Sequence, residues 1–171
     1  MILVVTGVSG CGKSTIGQLL ADELKWSFYE GDDFHPPENV EKMRQNTPLN
    51  DADRLPWLMS LKKLIADVKS RDESAVLTCS ALRKTYRDLL READDALVFV
   101  YLKGEFRLIQ ERLLQRSSHY MPADLLSSQF EILEEPKNAL IVEITQRPDE
   151  IVRHILESFA NHPVTCPPSE I

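Results

Sequence analysis

The chain has no surplus of positive charge, few cysteines and no long apolar run, and each absence removes a class of function. Lysine and arginine total 20 against 27 acidic residues, for a net charge of −7. Such a surface is not built to attract nucleic acid or anionic lipid, although one basic cleft within it can still hold a small anion. The three cysteines, Cys11, Cys79 and Cys166, are an odd number without metal-ligand spacing. Reduced thiols in a cytoplasmic compartment are the expectation. Apolar stretches such as "ILVV" and "ALVFVYL" fall far short of the ~20 residues that carry a helix across a bilayer. The N-terminus runs directly into a glycine loop with no basic segment or cleavable leader, so no targeting segment is expected. No repeat and no linker divides the 171 residues. One domain of that length buries a sufficient core without disulfides or metals.

What is present is an alternation. "ILVV" (2–5), "SFYE" (27–30), "AVLTC" (75–79), "ALVFVYL" (96–102) and "ALIVEI" (139–144) are short and β-rich, as suits strands buried on both faces of a parallel sheet. Between them apolar residues recur at helical spacing: Ile16, Leu19, Leu20 and Leu24, then Leu58, Leu61, Leu64, Ile65 and Val68, then Phe106, Ile109, Leu113 and Leu114. A last helix is expected from about Asp149 to Ala160. The pattern predicts an α/β fold, a three-layer doubly wound domain on a five-stranded parallel sheet with right-handed crossovers. Two polar, proline-marked stretches, 35–57 and 116–130, read as excursions from that sheet. The first belongs to an acceptor-binding insertion over about 32–58, and the second is a lid over about 116–130. Residues 161–171, with three prolines, read as an irregular tail.

"GVSGCGKST" (7–15) carries the first chemistry. It matches G-x-x-x-x-G-K-[ST] and stands where that motif must, after an apolar strand and at the opening of an amphipathic helix. The backbone of Gly7, Val8, Ser9, Gly10, Cys11 and Gly12 is expected to turn its N–H groups around phosphates, helped by the helix N-terminus. Lys13 would reach the β- and γ-phosphates and Ser14 would offer its hydroxyl to Mg²⁺, with Thr15 supporting the first helical turn. A nucleoside triphosphate is therefore the expected donor. N-K-x-D and D-x-x-G are missing, which argues against a switch GTPase. The strand "AVLTC" ends in Cys79 and Ser80 rather than a carboxylate, which argues against a large motor ATPase. A kinase for a small metabolite is what remains.

The acceptor side follows from topology, since parallel strands bring their C-terminal ends to one edge. Glu30, Asp32, Asp33 and His35 emerge there after the second strand. Asp32 is the candidate to orient the attacking hydroxyl and take its proton, Glu30 to hold magnesium through water, and His35 to touch substrate. Helix capping is the plainer reading of Asp33. Arg54 suits a substrate carboxylate, unless Asp51 or Asp53 caps the next helix and pairs with it. Trp57 reads first as core. Ser80, Arg83, Lys84 and Arg87 follow the third strand and offer further substrate contacts, Arg83 and Arg87 sharing a helix face. Arg112 and Arg116, four apart at the root of the lid, would neutralise the transferring phosphoryl group. His119 in the lid is carried as a substrate contact without assigned chemistry. "TQRP" (145–148), with Gln146, Arg147 and Pro148, is the expected edge of an adenine pocket.

Seven segments together resemble the gluconokinase family over most of the chain: "GVSGCGKST", "GDDFHPPENVEKM", "PLNDADRLPWL", "CSALRKTYRDLLR", "VYLKGEF", "ERLLQRSSHYMPADLLSSQFEILEEP" and "ITQRP". The phosphate loop is widely shared, whereas H-P-x-x-N-x-x-K-M and P-L-x-D-x-D-R-x-P-W-L are narrow. The resemblance implies ATP-dependent phosphorylation of D-gluconate at its 6-hydroxyl, feeding 6-phosphogluconate to the pentose phosphate pathway, often by a homodimer. It also implies a nucleoside-monophosphate-kinase-like P-loop fold related to shikimate kinase. Asp32 would take the acceptor-hydroxyl position, with Arg54 and the basic residues after "CSAL" on gluconate. A shikimate or nucleoside-monophosphate kinase, and a non-catalytic nucleotide-binding regulator, are the alternatives. The sequence departs from the family pattern at Cys11, at Asn46 where glycine is common, and at Ser118 in the lid. Asparagine tolerates a left-handed backbone better than serine does.

Overall fold

The computed structural model describes residues 1–115 and 123–161. Strands β1 (Ile2–Thr6), β2 (Ser27–Glu30), β3 (Ala75–Thr78), β4 (Val98–Lys103) and β5 (Leu140–Glu143) form one parallel sheet in the order β2-β3-β1-β4-β5. Helices α1 (Lys13–Leu24), α2 (Pro37–Arg44), α3 (Asp51–Ser70), α4 (Lys84–Arg91), α5 (Phe106–Gln115), α6 (Ala123–Ile132) and α7 (Pro148–Asn161) connect and cover it. The expected doubly wound architecture is the one observed.

Strand alternation builds two cores. Leu3 and Val5 of β1 join Val76, Val100 and Leu102 on one face, packed against Ile16 and Leu20 of α1 and Ile151 and Ile155 of α7. Ile2 and Val4 point the other way, with Leu77 and Phe99, against Leu58, Leu61 and Ile65 of α3 and Leu90 of α4. Each fully buried leucine contributes about 1.5–3 kcal/mol. The three inner strands are apolar on both faces because both are covered. The two edge strands are not: β2 is half-exposed, and Ile141 and Glu143 of β5 reach solvent. Burial on both faces, expected for all five, therefore holds only for β1, β3 and β4.

The stretch 35–57 is more ordered than an excursion loop. Asn50 caps α3, its side chain accepting from the Asp53 N–H at 2.9 Å while Asp53 accepts from the Asn50 N–H at 3.1 Å. That reciprocal box starts the helix five residues ahead of Pro56, which the helix then absorbs by forgoing one backbone bond. Between α2 and α3 the chain turns through Asn46 at φ 56°. The Thr47 N–H donates to the Lys42 carbonyl at 2.8 Å and the Asn46 N–H to the Met43 carbonyl at 3.0 Å, the bond pair of a Schellman ending. Asparagine thus serves in the left-handed position, as expected. Within the stretch 116–130, residues 123–130 lie on helix α6. Asn161, assigned to the tail on sequence, still belongs to α7. Residues 116–122 and 162–171 lie outside the described residues, and with them Arg116, Ser118, His119 and Cys166.

Candidate active site

All five strands end at one edge, and the loops there surround a cleft of about 830 Å³. Its first wall is the loop 7–12. Gly7, Gly10 and Gly12 adopt φ of 144°, 84° and 103°, a region that costs side-chain-bearing residues 1–2 kcal/mol or more. Gly12 opens α1 with no side-chain cap and no acidic residue in the first turn. The first-turn amides of Lys13, Ser14 and Thr15 are thus left without a capping side chain, which makes an anion site. Lys13 is buried, its ammonium donating to the Val8 carbonyl at 3.1 Å across the loop. Val8 and Cys11 turn their side chains into the core, so only their backbone serves the cleft. Burial holds the Cys11 thiol above its ordinary range and pushes Cys79 up to about 12. Neither is a nucleophile.

The second wall is built where β2 ends. The Thr78 hydroxyl donates to the Glu30 carboxylate and accepts the Gly31 N–H at 3.2 Å. A 3₁₀ turn over Gly31–Phe34 then presents Asp32, whose side chain is 62% exposed, toward the cleft. Asp33 caps no helix; it lies within that turn. Trp57 is buried as core, donates its indole N–H to the Gly31 carbonyl at 2.7 Å and stacks on His35 at 4.3 Å. Asn39 donates to the Asp53 carbonyl at 2.7 Å and approaches His35 Nδ1 at 3.2 Å, while Lys42 pairs with Asp53 at 2.6 Å. That pair holds the Asp53 carboxyl below its usual range. H-P-x-x-N-x-x-K-M and P-L-x-D-x-D-R-x-P-W-L therefore clasp each other, α2 against α3. Arg54 lines the cleft beside them, its Nε donating to the Leu49 carbonyl at 3.1 Å and its guanidinium lying 5.8 Å from the Tyr86 ring.

Ser80 enters the cleft from the loop after β3, held by the Thr6 hydroxyl, which donates to the Ser80 carbonyl at 2.6 Å. No cluster of three His, Cys, Asp or Glu that could hold a metal alone occurs among the described residues. Ser14 and Glu30 are hard oxygen donors along one cleft, a pair that suits Mg²⁺ completed by phosphate and water.

The family model described as Shikimate kinase matches residues 9–160. A probable gluconokinase of Mus musculus is 44% identical over 92% of this chain and 97% of its own length. The thermoresistant gluconokinase of Escherichia coli K12 is 42% identical over 91% of each. A crystal structure of a gluconokinase from Sinorhizobium meliloti superposes with a TM-score of 0.86 at 42% identity, over 93% of this chain and 91% of that one. This chain belongs to the gluconokinase family.

In this gluconokinase-family chain, several expected contacts lie elsewhere. Arg87, expected on substrate, is buried and donates to the Ala81 and Leu82 carbonyls at 2.8 and 3.2 Å. Helical spacing put it on the face of Arg83, but α4 turns that position inward. Burial lowers its basicity, and its role is to hold the loop where Ala81 sits at φ 36°. Arg83, likewise expected on substrate, does not line the cleft; it pairs with Asp51 at 2.7 Å, and Asp51 also accepts from the Tyr86 hydroxyl. Arg112, expected at the transferring phosphoryl group, donates instead to the Ile144 carbonyl at 2.6 Å, at the end of β5. Gln146 and Arg147, in the connection that follows, and Pro148, which opens α7, are exposed and outside the cleft lining, with Arg147 paired to Asp149.

Sequence reading passed over Gln129. From α6 it accepts the Ser9 N–H at 2.7 Å and donates to the Ser9 hydroxyl at 2.9 Å, tying the phosphate loop to that helix. Its "SSQF" context was part of the resemblance, but nothing in its spacing named a partner 120 residues away. Arg44, Thr47 and Leu49 also line the cleft. Their signal lay only in the polar stretch 35–57, where Arg44 closes α2 and Thr47 and Leu49 follow it.

Proposed function

We propose that this chain phosphorylates D-gluconate at its 6-hydroxyl with ATP, yielding 6-phosphogluconate and ADP. The observation that carries the reading is one cleft with two unlike walls, an uncapped helix start behind a glycine loop on one side and Asp32, His35 and Arg54 on the other. Kinase chemistry of this kind needs positioning and charge neutralisation more than covalent help.

The acceptor oxygen attacks the γ-phosphorus in line. The bond from that phosphorus to the β–γ bridging oxygen breaks and its electron pair leaves with ADP. Asp32 orients the hydroxyl and receives its proton late in transfer. Lys13 and the amides of residues 9–15 take up phosphate charge, and Arg54 meets the gluconate carboxylate. The Ser14 hydroxyl and the Glu30 carboxylate would hold Mg²⁺, which would supply neutralisation of phosphate charge. Arg116 and His119 are the remaining contacts assigned to phosphate and substrate, and keeping water out prevents hydrolysis of ATP. The protein works in the cytoplasm as a homodimer on a free sugar acid, without nucleic acid or membrane; among the described residues no helix is long and apolar enough to cross a membrane.

Coupled ADP release measured side by side with gluconate, shikimate, AMP and CMP tests the reading. Turnover is expected with gluconate alone. Turnover of another acceptor with none of gluconate refutes it. Sedimentation of the purified chain tests the dimer.

A further inference from the structure

We propose that His35 is a positioning residue for Asp32, a fixed Nε2–H donor that holds one carboxylate oxygen so that the other faces the acceptor hydroxyl. The inference rests on Asp32 being the proton acceptor.

The hydrogen-bond network determines which ring nitrogen carries the proton. A backbone carbonyl can only accept, so the 2.7 Å contact from Asn39 to the Asp53 carbonyl identifies the amide nitrogen of Asn39. That same nitrogen lies 3.2 Å from His35 Nδ1. Its second N–H therefore donates to Nδ1, which must be bare, and the proton of the neutral ring sits on Nε2. Nε2 lies 4.0 Å from Asp32 Oδ1.

The ring has little freedom to do otherwise. Its side chain is 5% exposed and stacks on Trp57 with an interplanar angle of 12°. Trp57 in turn is bonded to Gly31, the residue before Asp32. Asp32, by contrast, is exposed on a short turn, and a small side-chain rotation closes the gap to hydrogen-bonding distance. Catalytic hydrogen bonds are often this long before substrate arrives. The charged groups acting on the ring are Asp32, from its own turn, and Arg54, from α3. Burial is the larger effect and, with Arg54, lowers the ring's pKa against the pull of Asp32, so the neutral donor is the working form.

Side-chain mimicry separates this role from a structural one. The glutamine amide places an N–H near Nε2, and the asparagine amide places an acceptor near Nδ1. His35→Phe should lower kcat by about 10–100-fold with little change in KM for gluconate. His35→Gln should recover kcat to within a few-fold of the parent, and His35→Asn should not. Recovery by asparagine and not glutamine, or full kcat in His35→Phe, overturns the proposal. If the variants fold poorly, ¹⁵N-histidine NMR of the unmodified protein decides, and protonation at Nδ1 refutes the assignment. Asp32→Asn isolates the premise. High activity in Asp32→Asn removes the premise itself, whereas its collapse beside an active His35→Phe removes only this inference.

Discussion

Gly31→Ala is the perturbation that ties the sheet most directly to the chemistry. A Cβ on Gly31 would lie 2.0 Å from the Thr78 carbonyl oxygen and 3.1 Å from its carbon. Ordinary contact begins at 3.4 Å, so the first distance is about 1.4 Å short. The obstacle is backbone in an inner strand, buried on both faces, and it cannot swing aside. The end of β2 must move away instead. That movement breaks the Gly31–Thr78 bond and the Trp57–Gly31 bond, about 1 kcal/mol each, on top of overpacking strain of about 1–3 kcal/mol. A loss of about 3–5 kcal/mol is expected, a fall in Tm of about 6–20 °C for a chain of this size. Asp32 is the next residue, and its displacement by an ångström or more should cost kcat about 100-fold even where the variant is folded. Calorimetry with coupled ADP release at low temperature reads both effects, with Ser27→Ala, at the exposed start of the same strand, as control. A Gly31→Ala protein with Tm within 2 °C or so of the parent and unchanged kcat would refute the steric reasoning.

Three further outcomes follow from contacts described above. Asn50→Ala should cost about 1 kcal/mol in urea unfolding by removing the cap of α3, and a change below ~0.3 kcal/mol would mean the box does not hold the helix start. Arg87→Met should destabilise by about 2–3 kcal/mol, because two carbonyls under the Ser80 loop lose a buried charged donor. Loss of turnover in that variant without loss of stability would instead restore Arg87 as a substrate contact. The His35 pKa is lowered in the fold from 6.5 by burial first and by Arg54, so between the folded pKa and 6.5 the unfolded chain binds more protons. Stability is then complete above pH 6.5, falls as pH drops through that value and levels off below the folded pKa. Urea titrations from pH 5 to 7.5 should show this slope in the parent and lose it in His35→Gln; equal slopes would contradict it.

The phosphate loop, the five strands and the main helices were legible from sequence because each is a local pattern. Glycines at set spacing, β-rich runs and a period near 3.6 need no knowledge of distant neighbours. The 20-residue α3 was partly hidden, since Pro56 and the polar "NDADR" mask a helix whose start rests on the Asn50–Asp53 box. Asn46 was legible as a turn residue, because its left-handed backbone is a property of the residue and its immediate turn.

Arginines were the opposite case. Arg54, Arg83, Arg87 and Arg112 all occupy segments that reach the active edge, and sequence treats them alike. Packing distinguishes them: Arg54 lines the cleft, Arg87 is buried under a loop, Arg83 pairs with Asp51 and Arg112 binds the Ile144 carbonyl. A guanidinium on a long stem goes to whichever acceptors the fold brings within reach, and those acceptors are up to 32 residues away. The same holds for the side-chain contacts of Gln129 and for the His35 tautomer, which depends on a carbonyl of α3. Element type is written in neighbouring residues; the assignment of each polar group to its partner is written in the distances between elements, and these exist only once the chain has folded.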